Sequence, residues 1–256
     1  MKDMKPKNDQ ADDNLVWGIH PVHELLAGRP GSIHEITVQK GKSGQKLREI
    51  IDLARDAGIK VNFSADFRMT GNKQMNHQGV IARVAPFATL DEDAFLALLE
   101  QHAPPFVLVL DSIQDPHNLG AIIRSASAAG VTGLIIPKDR SAQLSGTVAK
   151  ISAGASASLP VCQVTNVARM LQKLKEMGMW IYGTVKDGGT SIYQTTFSGA
   201  VCLVIGGEEK GIRPLIGEQC DFKVTIPMQR HLDSLNASVA AGVVMFEIVR
   251  QRTRSE

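Results

Sequence analysis

The stretch FVLVLDSIQDPHNLGAIIRSASAAGVTGLII, residues 106–136, decides the fold class. Phe106 to Leu110 is an unbroken apolar run, the pattern of a strand buried on both faces rather than on one. After a polar loop, Leu119 to Ala129 reads as a helix and Gly133 to Ile136 as a second buried strand. The same alternation continues outward. Trp180 to Val185, Val201 to Ile205 and Lys223 to Ile226 read as strands, and Val167 to Met177 and Leu235 to Arg250 read as helices. Continuous apolar strands alternating with helices predict an α/β fold on a parallel sheet with both faces covered.

Upstream lies a smaller α/β pattern. Pro21 at a first helical turn and Gly28 at a stop frame a short helix from His20 to Ala27. Glu35 to Gln39, Ile59 to Phe63 and Val80 to Val84 read as strands, and Lys46 to Ala57 reads as an amphipathic helix closed by Gly58. An acidic helix from Leu90 to Gln101 runs into Ala103-Pro104-Pro105, where proline stops helical continuation. The expected organisation is a polar tail over residues 1–14, a compact domain over 15–85, a linker over 86–105 and a larger domain over 106–256.

The chain has 256 residues, 43% of them apolar, which suffices for two buried cores. Its net charge of +2 is unevenly spread, with +4 over residues 15–85, −4 over 86–105 and +3 over 106–256. A basic excess in both domains permits phosphate-backbone binding, although solvated surfaces carry similar excesses. The loop from Lys40 to Lys46 holds Lys40, Lys42 and Lys46, and suits either phosphate contact or a plain solvated turn. With 5% aromatic residues, a stacking platform for single-stranded bases is disfavoured. Cys162, Cys202 and Cys220 are far apart and form no CxxC pair, so neither a disulfide framework nor a zinc site is expected. His20 and His23 flank Pro21 with no further ligand nearby, and no metal is expected. The opening MKDMKPKNDQADDN lacks the apolar core of a signal peptide, and no apolar run is long enough to span a bilayer. A soluble, cytoplasmic protein is expected.

In an open α/β sheet, ligands bind beyond the carboxyl ends of the strands, so three loops carry the interest. The first, from Asp111 to Gly120, leads into a helix bearing Arg124. Asn118 and Arg124 could grip a polar or anionic ligand there, or Asp115 or Asn118 could simply cap the helix. The second, Gly206-Gly207-Glu208-Glu209-Lys210-Gly211, follows a strand directly and allows close backbone approach. Its spacing matches neither the dinucleotide GxGxxG nor the phosphate-binding GxxxxGK[ST], which disfavours a nicotinamide enzyme or a P-loop hydrolase; a turn with solvated charges is the plain alternative. The third runs from Ile226-Pro227-Met228 to Ser234-Leu235-Asn236 and into a helix of small residues, with Ser234 as a candidate cap.

Taken in order, DPHNLGAIIRSASAAG, LVIGGEEKG and IPM followed by SLNASVAAG resemble the three motifs of the SpoU/TrmH family of RNA ribose methyltransferases. The resemblance spans roughly residues 106–252. The small N-terminal domain is similar to the L30e-like RNA-binding domain of the branch that methylates guanosines of 23S ribosomal RNA. Membership implies a trefoil-knotted parallel-sheet domain of the SPOUT class, a homodimer, and S-adenosylmethionine as cofactor. It also implies catalytic roles for Asn118, Arg124, Glu208, Ser234 and Asn236, and cofactor contacts from main-chain groups at Gly206, Ile226 and Leu235. Between Met228 and Ser234 the chain departs from the branch: Gln229-Arg230-His231-Leu232-Asp233 replaces smaller residues, which bears on the target nucleotide.

The family arrangement assigns the proton acceptor to Arg124, yet a guanidinium holds its proton so firmly that it is a poor base at neutral pH. Arg124 is better read as fixing a phosphate and polarising the hydroxyl, with deprotonation passing to phosphate or Ser234. Two other readings are a transfer RNA ribose methyltransferase and a non-catalytic RNA-binding protein with a methyltransferase-like fold. The intact set of polar motif residues argues against the latter.

Overall fold

The structure is a computed structural model that describes residues 15–28, 30–65, 77–84, 89–152, 155, 159–229 and 234–253. The tail over 1–14, residues 86–88 of the expected linker, and Arg230 to Asp233 of the departure in the third motif lie outside the described residues. The chain divides into two compact units, one drawn from Met1–Ala88 and Leu144–Ser158, the other from Thr89–Gln143 and Leu159–Glu256.

The first unit holds β1 (Leu15–Trp17), α1 (Ile19–Gly28), β2 (Ile33–Gln39), α2 (Gln45–Asp56), β3 (Lys60–Ser64) and β4 (Val80–Val84). Its sheet runs β1-β4-β2-β3, with β2 and β3 parallel and the other pairs antiparallel. Leu47, Ile50 and Ala54 recur at helical spacing along α2, so one stripe of that helix is buried against Ile36, Val38 and Ala82 of the sheet and Val22 and Leu25 of α1.

The second unit opens with α3 (Glu92–Glu100), capped by Asp91, whose Oδ1 accepts from Ala94 N at 2.8 Å. This is the acidic helix of the expected linker, and it belongs to the unit's core. Phe95 and Leu99 are buried, and the Phe95 ring lies against Gly133, where it leaves no room for a Cβ. Next come β5 (Phe106–Asp111), α4 (Pro116–Ala128) and β6 (Gly133–Pro137). The chain then contributes α5 (Gly146–Ile151) to the first unit. It returns as β7 (Val161–Val164), α6 (Val167–Glu176), β8 (Trp180–Thr184), β9 (Thr190–Ser191), β10 (Val201–Gly206), α7 (Pro214–Gly217), β11 (Phe222–Thr225) and α8 (Ala237–Thr253).

The second sheet runs β7-β6-β5-β10-β8-β11-β9, and every pair in it is parallel. Every residue of β5 and β6 is buried, as expected for strands covered on both faces. The chain first builds outward from β5 through β6 to β7, and later lays β10 between β5 and β8. The strand order therefore reverses at β5 and β10, the place where open α/β sheets present ligand crevices. Among the described residues no helix is long and apolar enough to cross a membrane.

The expected elements recur with ends shifted by a few residues at most. β1, β7, β9, α5 and α7 were not legible, because runs of two to six residues carry too few positions to display a period. α5 is nevertheless tightly held. Ser145 caps it, Ala149 joins the first unit's core, and Gly146 packs directly on the backbone carbonyl of Leu15. A methyl group at position 146 would overlap that oxygen. Gly146→Ala is therefore expected to destabilise the first unit by about 1 to 3 kcal/mol through overpacking, read as a lower urea midpoint.

Candidate active site

A cleft of about 710 Å³ opens beyond the carboxyl ends of β8, β10 and β11. That size lies within the range of about 300 to 1,000 Å³ typical of small-molecule sites. Its walls come from the ends of those strands, from the turn after β10, and from the segment entering α8. Gly206, Ile226 and Leu235 all line it, as do Glu208 and Ser234.

The turn after β10 is built by close backbone approach. Gly211 N donates to Gly207 O at 2.9 Å, folding the chain back on itself. A Cβ on Gly206 would overlap the backbone of Gly211 and Ile212, and a Cβ on Gly207 would overlap the Ser112 carbonyl. The paired glycines are thus a steric requirement of the turn rather than a solvated ornament.

A chain of side-chain amides ties this turn to the other two loops. Asn118 Nδ2 donates to Glu208 Oε1, and Asn118 Oδ1 accepts from Asn236 Nδ2 at 2.9 Å. Asn236 Oδ1 in turn accepts from Ser238 N at 2.9 Å and from Ser238 Oγ at 2.6 Å, which caps α8. Because the Glu208 carboxylate only accepts, the orientation of the Asn118 amide follows from its partners. The capping alternatives resolve physically. Asp115 caps α4 by accepting from His117 N at 2.8 Å, and Asn236 rather than Ser234 caps α8, so the buried Asn118 is left free to join the exposed Glu208 and Asn236.

Arg124 stands apart from this cluster. It is an exposed residue of α4, six positions beyond Asn118 and hence on a different face of the helix, and it does not line the cleft. Ser234 is exposed at the cleft wall. Gln229 is the described member of the departure in the third motif.

Thr184, Lys186 and Met228 also line the cleft and were not singled out from sequence. Asp111, fully buried, and its partner Arg213 were missed as well. A carboxylate ending a wholly apolar strand is the signal that could have found the first of these. Cys220 borders the cleft, where burial and then the Asp221 carboxylate push its thiol up to about 11, so it stays protonated near neutral pH. Among the described residues no group of three or more His, Cys, Asp or Glu side chains gathers to hold a metal ion.

Comparison with known proteins agrees with this architecture. The sequence profile of the SpoU rRNA Methylase family matches residues 105–246, and that of the RNA 2'-O ribose methyltransferase substrate-binding domain matches residues 15–90. The chain belongs to the SpoU rRNA methylase family. It is 42% identical over 241 residues to the 23S rRNA (guanosine-2'-O-)-methyltransferase RlmB of Salmonella typhimurium, covering 93% of this chain and 99% of that one. It is 41% identical to the RlmB protein of Escherichia coli K12, again over 241 residues. In structure it is similar to the SpoU methyltransferase AviRb of Streptomyces viridochromogenes, with a TM-score of 0.80, 24% identity, and coverage of 99% of this chain and 95% of that one. A TrmH/SpoU tRNA modifying enzyme of A. aeolicus matches at a TM-score of 0.55 and 28% identity, over 64% of this chain and 83% of its own.

The cofactor of this family is S-adenosylmethionine, and the cleft suits it. The cavity is large enough and largely apolar in its walls, and Gly206 and Gly207, whose Cβ space is filled by the protein's own backbone, let the turn that lines it fold tightly.

Asn236 has two separable tasks in this network. Asn236→Ala is expected to lose about 1 kcal/mol of stability with the cap. Asn236→Asp keeps the capping oxygen but cannot donate to Asn118, and it should retain most of that stability. Urea unfolding of the two variants beside the parent protein measures the difference.

Proposed function

We propose that this chain transfers a methyl group from S-adenosylmethionine to the ribose 2′-hydroxyl of a guanosine in 23S ribosomal RNA. The observation that carries the reading is the Glu208–Asn118–Asn236 network, which joins three motif loops and meets the small-molecule cleft at Glu208. Strong likeness to RlmB proteins over 93% of the chain supports the ribosomal substrate. The match to the tRNA modifying enzyme extends over only 64% of the chain, which leaves a transfer RNA substrate less supported.

When bound, the cofactor supplies an electrophilic methyl group on a sulfonium. Main-chain groups at Gly206, Ile226 and Leu235 hold its adenine side. Asn118, Glu208 and Asn236 orient the site through their shared hydrogen bonds, and much of the acceleration comes from holding the two reactants in line. Arg124, a permanent cation, fixes a neighbouring phosphate of the RNA and polarises the attacking hydroxyl. The 2′-hydroxyl proton would pass to a phosphate oxygen, directly or by way of the Ser234 hydroxyl.

Residues 15–85 serve as the docking domain of an L30e-like kind. A concavity of about 630 Å³ in this unit, lined by His20, Lys42 and Lys46, supports contact with an RNA backbone by the lysine loop. The methyltransferase domain is a trefoil knot and works as a homodimer in the cytoplasm. Val239 and Phe246, seven residues apart on α8 and both about half exposed, give that helix an apolar outer stripe that supports the dimer.

Arg124→Ala is expected to abolish methylation of a 23S fragment while leaving S-adenosylmethionine affinity near that of the parent protein. Arg124→Lys should fail too, since an ammonium cannot reproduce a planar two-pronged grip. Titration of the cofactor and mapping of ribose methylation in RNA from a deletion strain test both reaction and substrate. A parent protein with no cofactor affinity would make this a non-catalytic RNA-binding chain.

A further inference from the structure

Asp111 is the last residue of β5, fully buried at the end of an otherwise apolar strand. In the β5–β10 ladder it pairs with Gly206, the residue from which the cleft turn departs. Its side chain reaches across to the far end of that turn. Asp111 Oδ2 accepts from Arg213 N at 2.9 Å, and Oδ1 accepts from Arg213 Nε at 2.7 Å and Nη2 at 2.6 Å. One residue thus holds both ends of the segment that carries Glu208 and lines the cleft.

The surrounding backbone shows how little freedom remains. Ser112, directly after Asp111, has a φ of +70°, a left-handed conformation that a serine holds only when its surroundings impose it. Its carbonyl occupies the space beside Gly207 that a Cβ would need. Arg213 itself does not line the cleft, whereas its neighbours Ile212 and Pro214 do. The Arg213 side chain remains 37% exposed, so the pair keeps one foot in water while supplying the charge that a buried carboxylate requires.

We infer that Asp111 and Arg213 are a positioning pair for the methyl-transfer site: they set where the turn 207–212 lies, and through it the cofactor cleft and the aim of Glu208 at Asn118. The inference rests on the proposed methyltransferase function. Arg213 acts through its neighbours and not on substrate, so its loss should weaken cofactor binding selectively. A plain structural brace would instead lower stability with no preference between ligands.

The test compares the full-length parent protein with Asp111→Asn, Arg213→Lys and the charge-free double variant Asp111→Asn/Arg213→Gln, which removes both ions should the single change at 111 not fold. Ile135→Val, in the buried strand β6 away from the cleft, is the control for general destabilisation. Calorimetric Kd for S-adenosylmethionine and steady-state constants on a 23S fragment are measured together with melting temperature. The pair variants should raise Kd and KM for the cofactor by about tenfold or more, leave KM for RNA unchanged, and exceed any change seen in Ile135→Val. Cofactor affinity equal to the parent's, or lost only in proportion to melting temperature as in Ile135→Val, overturns the pairing. A parent protein that binds no cofactor removes the methyltransferase reading itself, and the inference with it.

Discussion

The arrangement of the second unit depends on one close approach, that of the backbone after β10 to the backbone after β5. β10 enters the sheet between β5 and β8, and its last residue, Gly206, has no space for a side chain because the returning chain at Gly211 and Ile212 lies against it. Gly207 is equally confined by the Ser112 carbonyl. Main chain packed on main chain leaves few alternative positions for the turn. The cleft is consequently walled by strand ends and by a turn whose path is fixed by main-chain contacts.

Upon that scaffold the polar network does a different job. Three loops, with a separation of 90 residues from Asn118 to Glu208 and of 118 from Asn118 to Asn236, each give one side chain, and the hydrogen bonds between Glu208, Asn118 and Asn236 hold them in a common register. Two of the loops also cap a helix, α4 by Asp115 and α8 by Asn236. Local caps determine where the helices start, and the network determines how they face one another. Asn118, the buried member of the network, is stabilising only when partnered, and it uses both ends of its amide. Arg124 lies outside the network, on an exposed helical face away from the cleft wall.

The first unit has an economy of its own. Its small sheet is completed on one side by α5, which comes from sequence that follows β6 of the other unit. The Lys150 ammonium sits over the Trp17 ring, 5.0 Å from its centroid, so the visiting helix adds a cation–π contact to the burial of Ala149. The first unit therefore does not end where its contiguous sequence ends.

Much of the fold was legible because burial leaves a periodic record. Fully apolar runs such as Phe106 to Leu110 and Val201 to Ile205 announce central parallel strands, and Leu47, Ile50 and Ala54 announce a one-sided helix. The three motif loops were legible too, since residue types with chemical capability followed strands directly and in a recognisable order. The sequence by itself thus determined the α/β class, the main elements and the candidate residues. Tertiary structure alone decided that β10 lies between β5 and β8, that Asn118 serves the network while Asp115 caps, that Arg124 stands away from the cleft, and that α5 joins the first unit. The physical reason is the same in each case: periodicity reports which side of an element is buried, but strand order and long-range hydrogen bonds depend on which distant segments compete for the same space.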